Sequence, residues 1–214
     1  MRGIVTGDNE FFFLTSARAK ELGIPDKLLV RAVGRVRDVR GKCFDQEDLT
    51  RLETSGRPTF LLNVNGLAFE QLPEQVQKYL NAGESKGISK KTLIKTRKPW
   101  YRMETRKAPP IMFAYLGRRH VRFIRNRAGV VPLTCLLCVY PKNPSPDYVD
   151  RLCNVLSHPE TIGNLRKVGK SYGGDAIKVE PRALERLPLP DTLVHSEGLD
   201  QFLSPKQGTL FEDM

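Results

Sequence analysis

Between residues 86 and 127 the chain carries six lysines (86, 90, 91, 95, 98, 107) and eight arginines (97, 102, 106, 118, 119, 122, 125, 127). Glu104 is the single acid among them, so this stretch has a net charge of +13 in a chain whose total is +11. The positive charge is therefore one block, and the rest is slightly acidic. Such a density of like charge cannot fold around itself unless apolar residues are threaded through it. They are: Trp100, Tyr101, Met103, Ile111, Met112, Phe113, Tyr115, Val121, Phe123 and Ile124 all lie within the block. A folded cationic surface studded with aromatics suits a polyphosphate, because Lys and Arg displace condensed counterions while aromatic rings stack on bases. The plainer alternative is a solvated face that binds acidic protein or nothing. An imbalance this large favours nucleic acid, with the cations expected to converge on one concave surface.

A length of 214 residues allows a sizeable core, in one domain or two lobes. The apolar fraction of 40% and charged fraction of 28% are ordinary for a globular chain. No apolar run reaches the length of a membrane span and no signal pattern opens the chain, so the expected setting is cytoplasmic, without a membrane partner. Four cysteines are too few for a disulfide scaffold. Cys135 and Cys138 have zinc-like spacing, but they fall in an apolar run, residues 131–140, that reads as one buried strand. Residues three apart in a strand point to opposite faces, so core thiols are expected and no metal site.

Taken in order, residues 3–14 read as strand, polar turn and strand, with Thr15 and Ser16 capping a short helix that Gly23 stops. Residues 28–36 fit a strand or a helix end. Asp45 and Asp48 start another helix, residues 57–64 are β-rich, and the stretch from Leu72 to Leu80 is an amphipathic helix feeding the basic block. Residues 90–97 read as helix or loop, broken at Lys98-Pro99. Residues 111–116, 121–125 and 131–140 then look like three consecutive antiparallel strands. The last third is helical, with Ser157 and Glu160 forming a capping box for a second helix there. The expectation is an α+β fold, mostly antiparallel strands with short helices and a helical C-terminal third. Residues 1–190 would form the folded part, in one domain or two lobes, and 191–214 a flexible tail, since apolar residues there are sparse and unpatterned.

Motifs for catalysis fail. Gly169-Lys170-Ser171 lacks the glycine spacing and preceding strand of a phosphate loop, and there is no GxGxxG. No serine or cysteine has a convincing histidine partner, and Glu84 with Lys86 is a thin nuclease signal. No catalytic residue is assigned.

Several blocks, in order, resemble the C-terminal target-recognition region of gamma-class N6-adenine DNA methyltransferases, the TaqI-like and Eco57I-like enzymes. They are Gly3 to Phe12, Glu21-Leu22-Gly23-Ile24-Pro25, Arg97-Lys98-Pro99-Trp100-Tyr101, Pro110-Ile111-Met112-Phe113, Arg125-Asn126-Arg127-Ala128-Gly129, and Tyr172 to Pro181 leading to Leu187-Pro188-Leu189-Pro190. The resemblance implies a division of labour. A Rossmann-like half binds S-adenosylmethionine and methylates a flipped adenine through Asn-Pro-Pro-Tyr, while the C-terminal half clamps the duplex and reads it. This chain has neither that motif nor a glycine-rich cofactor loop; Ala108-Pro109-Pro110-Ile111 lacks the asparagine and tyrosine. The expectation is a fragment or separate subunit of a restriction-modification system. It would hold no cofactor itself, and S-adenosylmethionine would belong to a catalytic domain or subunit that partners it.

On that basis Lys90, Lys91, Lys95, Lys98, Arg118 and Arg119 are expected on phosphates, and Arg97, Arg125 and Arg127 on guanine edges, where a guanidinium fits O6 and N7. Trp100 and Tyr101 anchor the basic loop in the core or touch bases, the former favoured. Asn126 ties its own turn. Lys170, Ser171 and Tyr172 would grip the backbone through a glycine-freed turn. The rivals are a nuclease with an unrecognised site involving Glu84 or Asp147, and an RNA-binding or assembly module. In the tail, Gln207, Leu210 and Phe211 resemble the pentapeptide with which bacterial replication proteins dock on the sliding clamp. Purified sliding clamp should then be retained by the immobilised chain and released by Leu210→Ala with Phe211→Ala; unchanged retention removes the motif.

Overall fold

The computed structural model describes residues 1–117, 121–171 and 177–202. In chain order the first half runs α1 (Asn9–Phe12), β1 (Phe13–Leu14), α2 (Ser16–Glu21), β2 (Leu29–Val33), β3 (Cys43–Phe44), α3 (Gln46–Thr54), β4 (Phe60–Leu62) and α4 (Glu74–Ser85). The second half runs β5 (Ile111–Ala114), β6 (Leu116–Gly117), β7 (Arg122–Asn126), β8 (Val131–Pro132), β9 (Leu137–Val139), α5 (Pro146–Ser157), α6 (Pro159–Val168), β10 (Lys170–Ser171), β11 (Ile177–Lys178), α7 (Pro181–Leu184) and α8 (Asp191–Ser196). The fold is α+β. Among the described strands the pairings are antiparallel except β2 with β8 and β3 with β7.

Local chemistry sets most boundaries. Thr15 accepts from Arg18 N to cap α2, and Asp45 with Asp48 closes a reciprocal capping box on α3. The strand or helix ambiguity over residues 28–36 resolves to β2, which pairs β4 on one side and β8 on the other. At the start of the chain the expected second strand is half helix. Asp8 Oδ1 accepts from Phe11 N at 2.9 Å, and that cap turns residues 9–12 into α1 before β1 begins. The cap of α6 also moves: Ser157 ends α5, and His158 Nδ1 accepts from Glu160 N.

The strands gather into three sheets, ordered β1-β4-β2-β8, β3-β7-β5-β9 and β10-β11-β6. β5 lies at the centre of the second, antiparallel to β7 and β9. Every side chain of β5 is buried. Ile111 and Phe113 face one core with Phe123, Val149, Val155 and Leu165, while Met112 and Ala114 face another with Phe44, Leu49, Ile124 and Leu136. A strand covered on both faces is apolar throughout, which explains why Ile111-Met112-Phe113-Ala114 shows no alternation. A third core, around Phe12, Leu61, Val76 and Ile94, fills the N-terminal half.

The apolar run 131–140 is not one strand. Residues 134–136 turn between β8 and β9, and the chain leaves the first sheet to join the second. Cys135 lies in that turn and Cys138 on β9; both are free thiols whose pKa burial pushes up, to about 12 at Cys135.

Residues 191–202, read from sequence as the start of a mobile tail, are instead α8 followed by a 3-10 turn (Leu199–Phe202). Leu199 is buried in the core beside β5, and Leu193 and Val194 pack against it. Arg151 Nη1 on α5 donates to Glu197 O at 3.0 Å, closing this segment over the helical layer. The apolar contacts are too widely spaced to show a period, which is why composition alone suggested disorder. Leu199→Ala should therefore lower the unfolding free energy by about 2–3 kcal/mol in urea titrations, a cost typical of emptying a buried leucine site.

Candidate nucleic-acid interface

Lysine and arginine separate in the basic block. All six lysines (86, 90, 91, 95, 98, 107) are exposed. Of the described arginines in this block, 97, 106, 122 and 125 are half-buried, with 97, 122 and 125 bonded to backbone carbonyls, while 102 and 127 are exposed. The difference follows from chemistry. A guanidinium offers five donors in a plane and is weakly hydrated, so it satisfies buried carbonyls; an ammonium is strongly hydrated and stays in water.

Arg97 shows the inward role. Its Nη2 donates to Val5 O at 2.8 Å and Nη1 to Met103 Sδ at 3.9 Å, with the guanidinium carbon 5.9 Å from the Phe12 ring centroid. Burial lowers its pKa, yet a guanidinium remains charged at neutral pH. Arg122 Nη2 donates to Val39 O at 2.6 Å, across a sequence distance too long to read locally. Arg125 Nε donates to Asp150 Oδ1 at 2.6 Å and its Nη1 to Pro110 O at 3.0 Å; Arg127 Nη2 reaches the other oxygen of Asp150 at 3.3 Å. The bond from Arg125 holds the Asp150 carboxyl below its ordinary pKa.

Lys86, Lys90, Lys95 and Lys98 form no ion pair with a described residue, and they crowd onto the turn-rich loop that follows α4. That loop is not loose. Lys91 Nζ is bonded to the Asp8 carboxylate, whose side chain is only 6% exposed. Ile94 is fully buried against Gly7, where an added Cβ would lie 2.6 Å from Ile94 Cγ1; Gly7 also has a φ of +79°. Arg97 completes the attachment through Val5. Residues 5–8 are thus a rail to which the lysine loop is fixed at three points. For the Asp8 carboxyl, burial alone would raise the pKa, but hydrogen bonds from Lys91 and from Phe11 N outweigh it and the net shift is downward. A depressed carboxylate stabilises the fold above its ordinary pKa and loses that contribution as pH falls through the lowered value.

Trp100 and Tyr101 stand at the end of the loop as core anchors. Trp100 lies 5.7 Å from the Phe11 ring centroid and 5.8 Å from that of Tyr101, and an added Cβ at Gly83 would sit 3.2 Å from it. Tyr101 is buried. Asn126 ties its turn as expected, donating to Pro109 O and Val130 O and accepting from Val130 N.

Among the described residues the cations line more than one cleft. The lysine loop borders a cleft of about 600 Å³ lined by Phe11, Tyr79, Ile88, Lys86 and Lys91 together with the acids Asp8, Glu10 and Glu21. Arg125 and Arg127 line a different cleft of about 460 Å³, with Lys42, Asp150, Cys153 and His158. Lys42 and His158 carry no signal in the sequence; only the pairing of β3 with β7 and the packing of α5 bring them near. Lys170 is exposed on β10, which joins the sheet containing β6. Arg118, Arg119, Tyr172, Gln207, Leu210 and Phe211 lie outside the described residues, and so does the side chain of Ser171. Of the acids in the nuclease alternative, Glu84 is on α4, and Asp147 on α5 is bonded to Arg151 at 2.9 Å.

With this geometry in hand, a family profile described as "Type II methyltransferase M.Eco57I, C-terminal domain" matches residues 1–208. The chain belongs to this family. It is 30% identical over 207 residues to Type II methyltransferase M.AccI of Acinetobacter calcoaceticus, covering 95% of the chain and 38% of that protein. It is 23% identical over 192 residues to Type II methyltransferase M.XamI of Xanthomonas campestris pv. amaranthicola, covering 88% of the chain and 34% of that relative. This M.Eco57I C-terminal-type chain therefore spans little more than a third of the length of the relatives it matches. The type IIG restriction endonuclease BpuSI shares its fold, with a TM-score of 0.55 at 16% identity over 92% of this chain and 25% of that one. No helix among the described residues is long and apolar enough to cross a membrane.

The two kinds of cation should respond differently to removal. Arg97→Ala is expected to lower the unfolding free energy by about 2 kcal/mol, through a lost charged hydrogen bond and lost packing. Lys90→Ala, Lys95→Ala and Lys98→Ala should each stay within about 0.5 kcal/mol of the parent in the same denaturant titration.

Proposed function

We propose that this chain is the DNA-reading part of an adenine-specific (N6) DNA methyltransferase in a restriction-modification system, acting in the cytoplasm. The observation that supports it best is the loop after α4, fixed to residues 5–8, which holds lysines 86, 90, 95 and 98 in solvent. Ammonium groups carried on a backbone already fixed form a phosphate-binding strip, since each can displace a condensed counterion without a loop-ordering cost. Phosphate contacts of this kind set register, and sequence is then read by groups that reach base edges. Arg127 is 60% exposed in its side chain and bonded only at its outer reach to Asp150, so it can turn to a guanine edge. Arg125 and Arg97 are committed inside the protein and act by holding that frame.

Methyl transfer belongs to another part of the protein. The described sheets are small and mostly antiparallel, with no doubly wound parallel sheet opening on a glycine-rich turn among the described residues. The partners are then double-stranded DNA and a catalytic methyltransferase domain or subunit, with the sliding clamp as a further partner through Gln207, Leu210 and Phe211.

Anisotropy titrations of labelled duplex DNA across a salt series test this reading. The logarithm of the binding constant should fall linearly with the logarithm of salt concentration. The triple change Lys90→Ala, Lys95→Ala, Lys98→Ala should reduce the slope by about 2–3 and weaken all duplexes alike. A flat salt response, or structured RNA displacing duplex DNA, would overturn it.

A further inference from the structure

Leu93 is the most exposed large apolar side chain among the described residues, at 59%. Single exposed leucines are common on protein surfaces. Two features separate this one. Its neighbours are cations: Lys91 lies two residues before it and Lys95 two after, both exposed, with exposed Lys90 one further out. Its direction is also fixed. A leucine on a loose loop would fold back onto the nearest apolar surface, but the inward site is taken by Ile94, fully buried against Gly7. Ile94 N and Lys95 N donate to Lys91 O at 2.8 and 2.9 Å, and Arg97 N donates to Ile94 O at 2.9 Å, so the backbone is a tight series of turns. The attachments to Asp8 and Val5 on either side prevent it from rolling. Leu93 is held in water on a tightly turned cationic loop.

We propose that Leu93 is an apolar wedge that enters the base stack of bound duplex DNA while Lys90 and Lys95 flank it on the phosphates. This rests on the DNA-binding reading above. Apolar wedges of this size partially unstack a base step, and the energetic cost is smallest where the stack is already interrupted. Burying the leucine among bases offsets part of that cost, and the flanking ammonium groups hold the opened step in place. The proposal adds a contact that responds to stacking strength, beside lysines that respond to charge alone.

The test uses the chain with short duplexes of randomised sequence, either intact or carrying a single abasic site, titrated by anisotropy at one salt concentration. The parent protein should prefer the abasic duplexes by about tenfold, because a step with a missing base needs no unstacking. Leu93→Ala should bring the two affinities together while keeping the salt slope of the parent, and Leu93→Met should retain the preference. Lys95→Ala should weaken both duplexes equally. Thermal melting checks that each variant is folded, and an exposed position makes that expected. A preference that survives Leu93→Ala, or no preference in a parent that binds duplexes with a steep salt response, overturns the wedge and leaves DNA binding standing. If the parent binds neither duplex, both readings fall.

Discussion

The fold depends on one strand being covered from both sides. Ile111, Met112, Phe113 and Ala114 have no measurable exposure, and their alternate side chains enter two separate cores. Once β5 is apolar on both faces, something must cover each. The α5–α6 layer with Leu199 covers one, and α3 with the 128–136 region covers the other. Each buried side chain of this size contributes on the order of 1.5–3 kcal/mol. The strand register also sets the arginines: β7 pairs Arg125 opposite Ile111 and Arg122 opposite Ala114, which carries both guanidinium groups to the carbonyls that receive them.

That arrangement answers a difficulty built into the composition. A stretch with fourteen cations repels itself, and folding it requires counter-groups or water for every one. Among the described residues, Arg97, Arg122 and Arg125 meet the requirement with backbone carbonyls, Arg125 and Arg127 with Asp150 and Arg106 with Glu104, while the lysines other than Lys91 meet it with solvent. The single side chain of Asp8 serves three ends at once, capping α1, accepting from Lys91 and fixing the lysine loop to residues 5–8. Stability and charge display are thereby assigned to different residues within one segment.

Much of this was legible in the sequence because it is local. The caps at Thr15 and Asp45, the amphipathic helix before the basic block, the Asn126 turn and the α+β class follow from short-range chemistry. The block-by-block resemblance pointed to the family that the profile match shows. What was not legible is long-range. No rule of spacing reveals that Arg97 answers Val5, that Arg125 answers Asp150, or that Lys42 and His158 share a cleft with Arg127. Charge counts along a chain likewise carry no information on which groups face inward. The run 131–140 misled because a strand and a crossover between two sheets are equally apolar.

The loop after α4 separates what holds it from what it shows. Its fixings are Ile94, Arg97 and the Lys91 contact, whereas Lys90, Thr92, Leu93, Lys95 and Lys98 have their side chains in solvent. Substitutions at those outward positions cross no folding threshold, so mutation can sample them freely while the frame persists. A protein built this way can acquire a new preference by exchanging a few letters at one rim, with no intermediate that fails to fold.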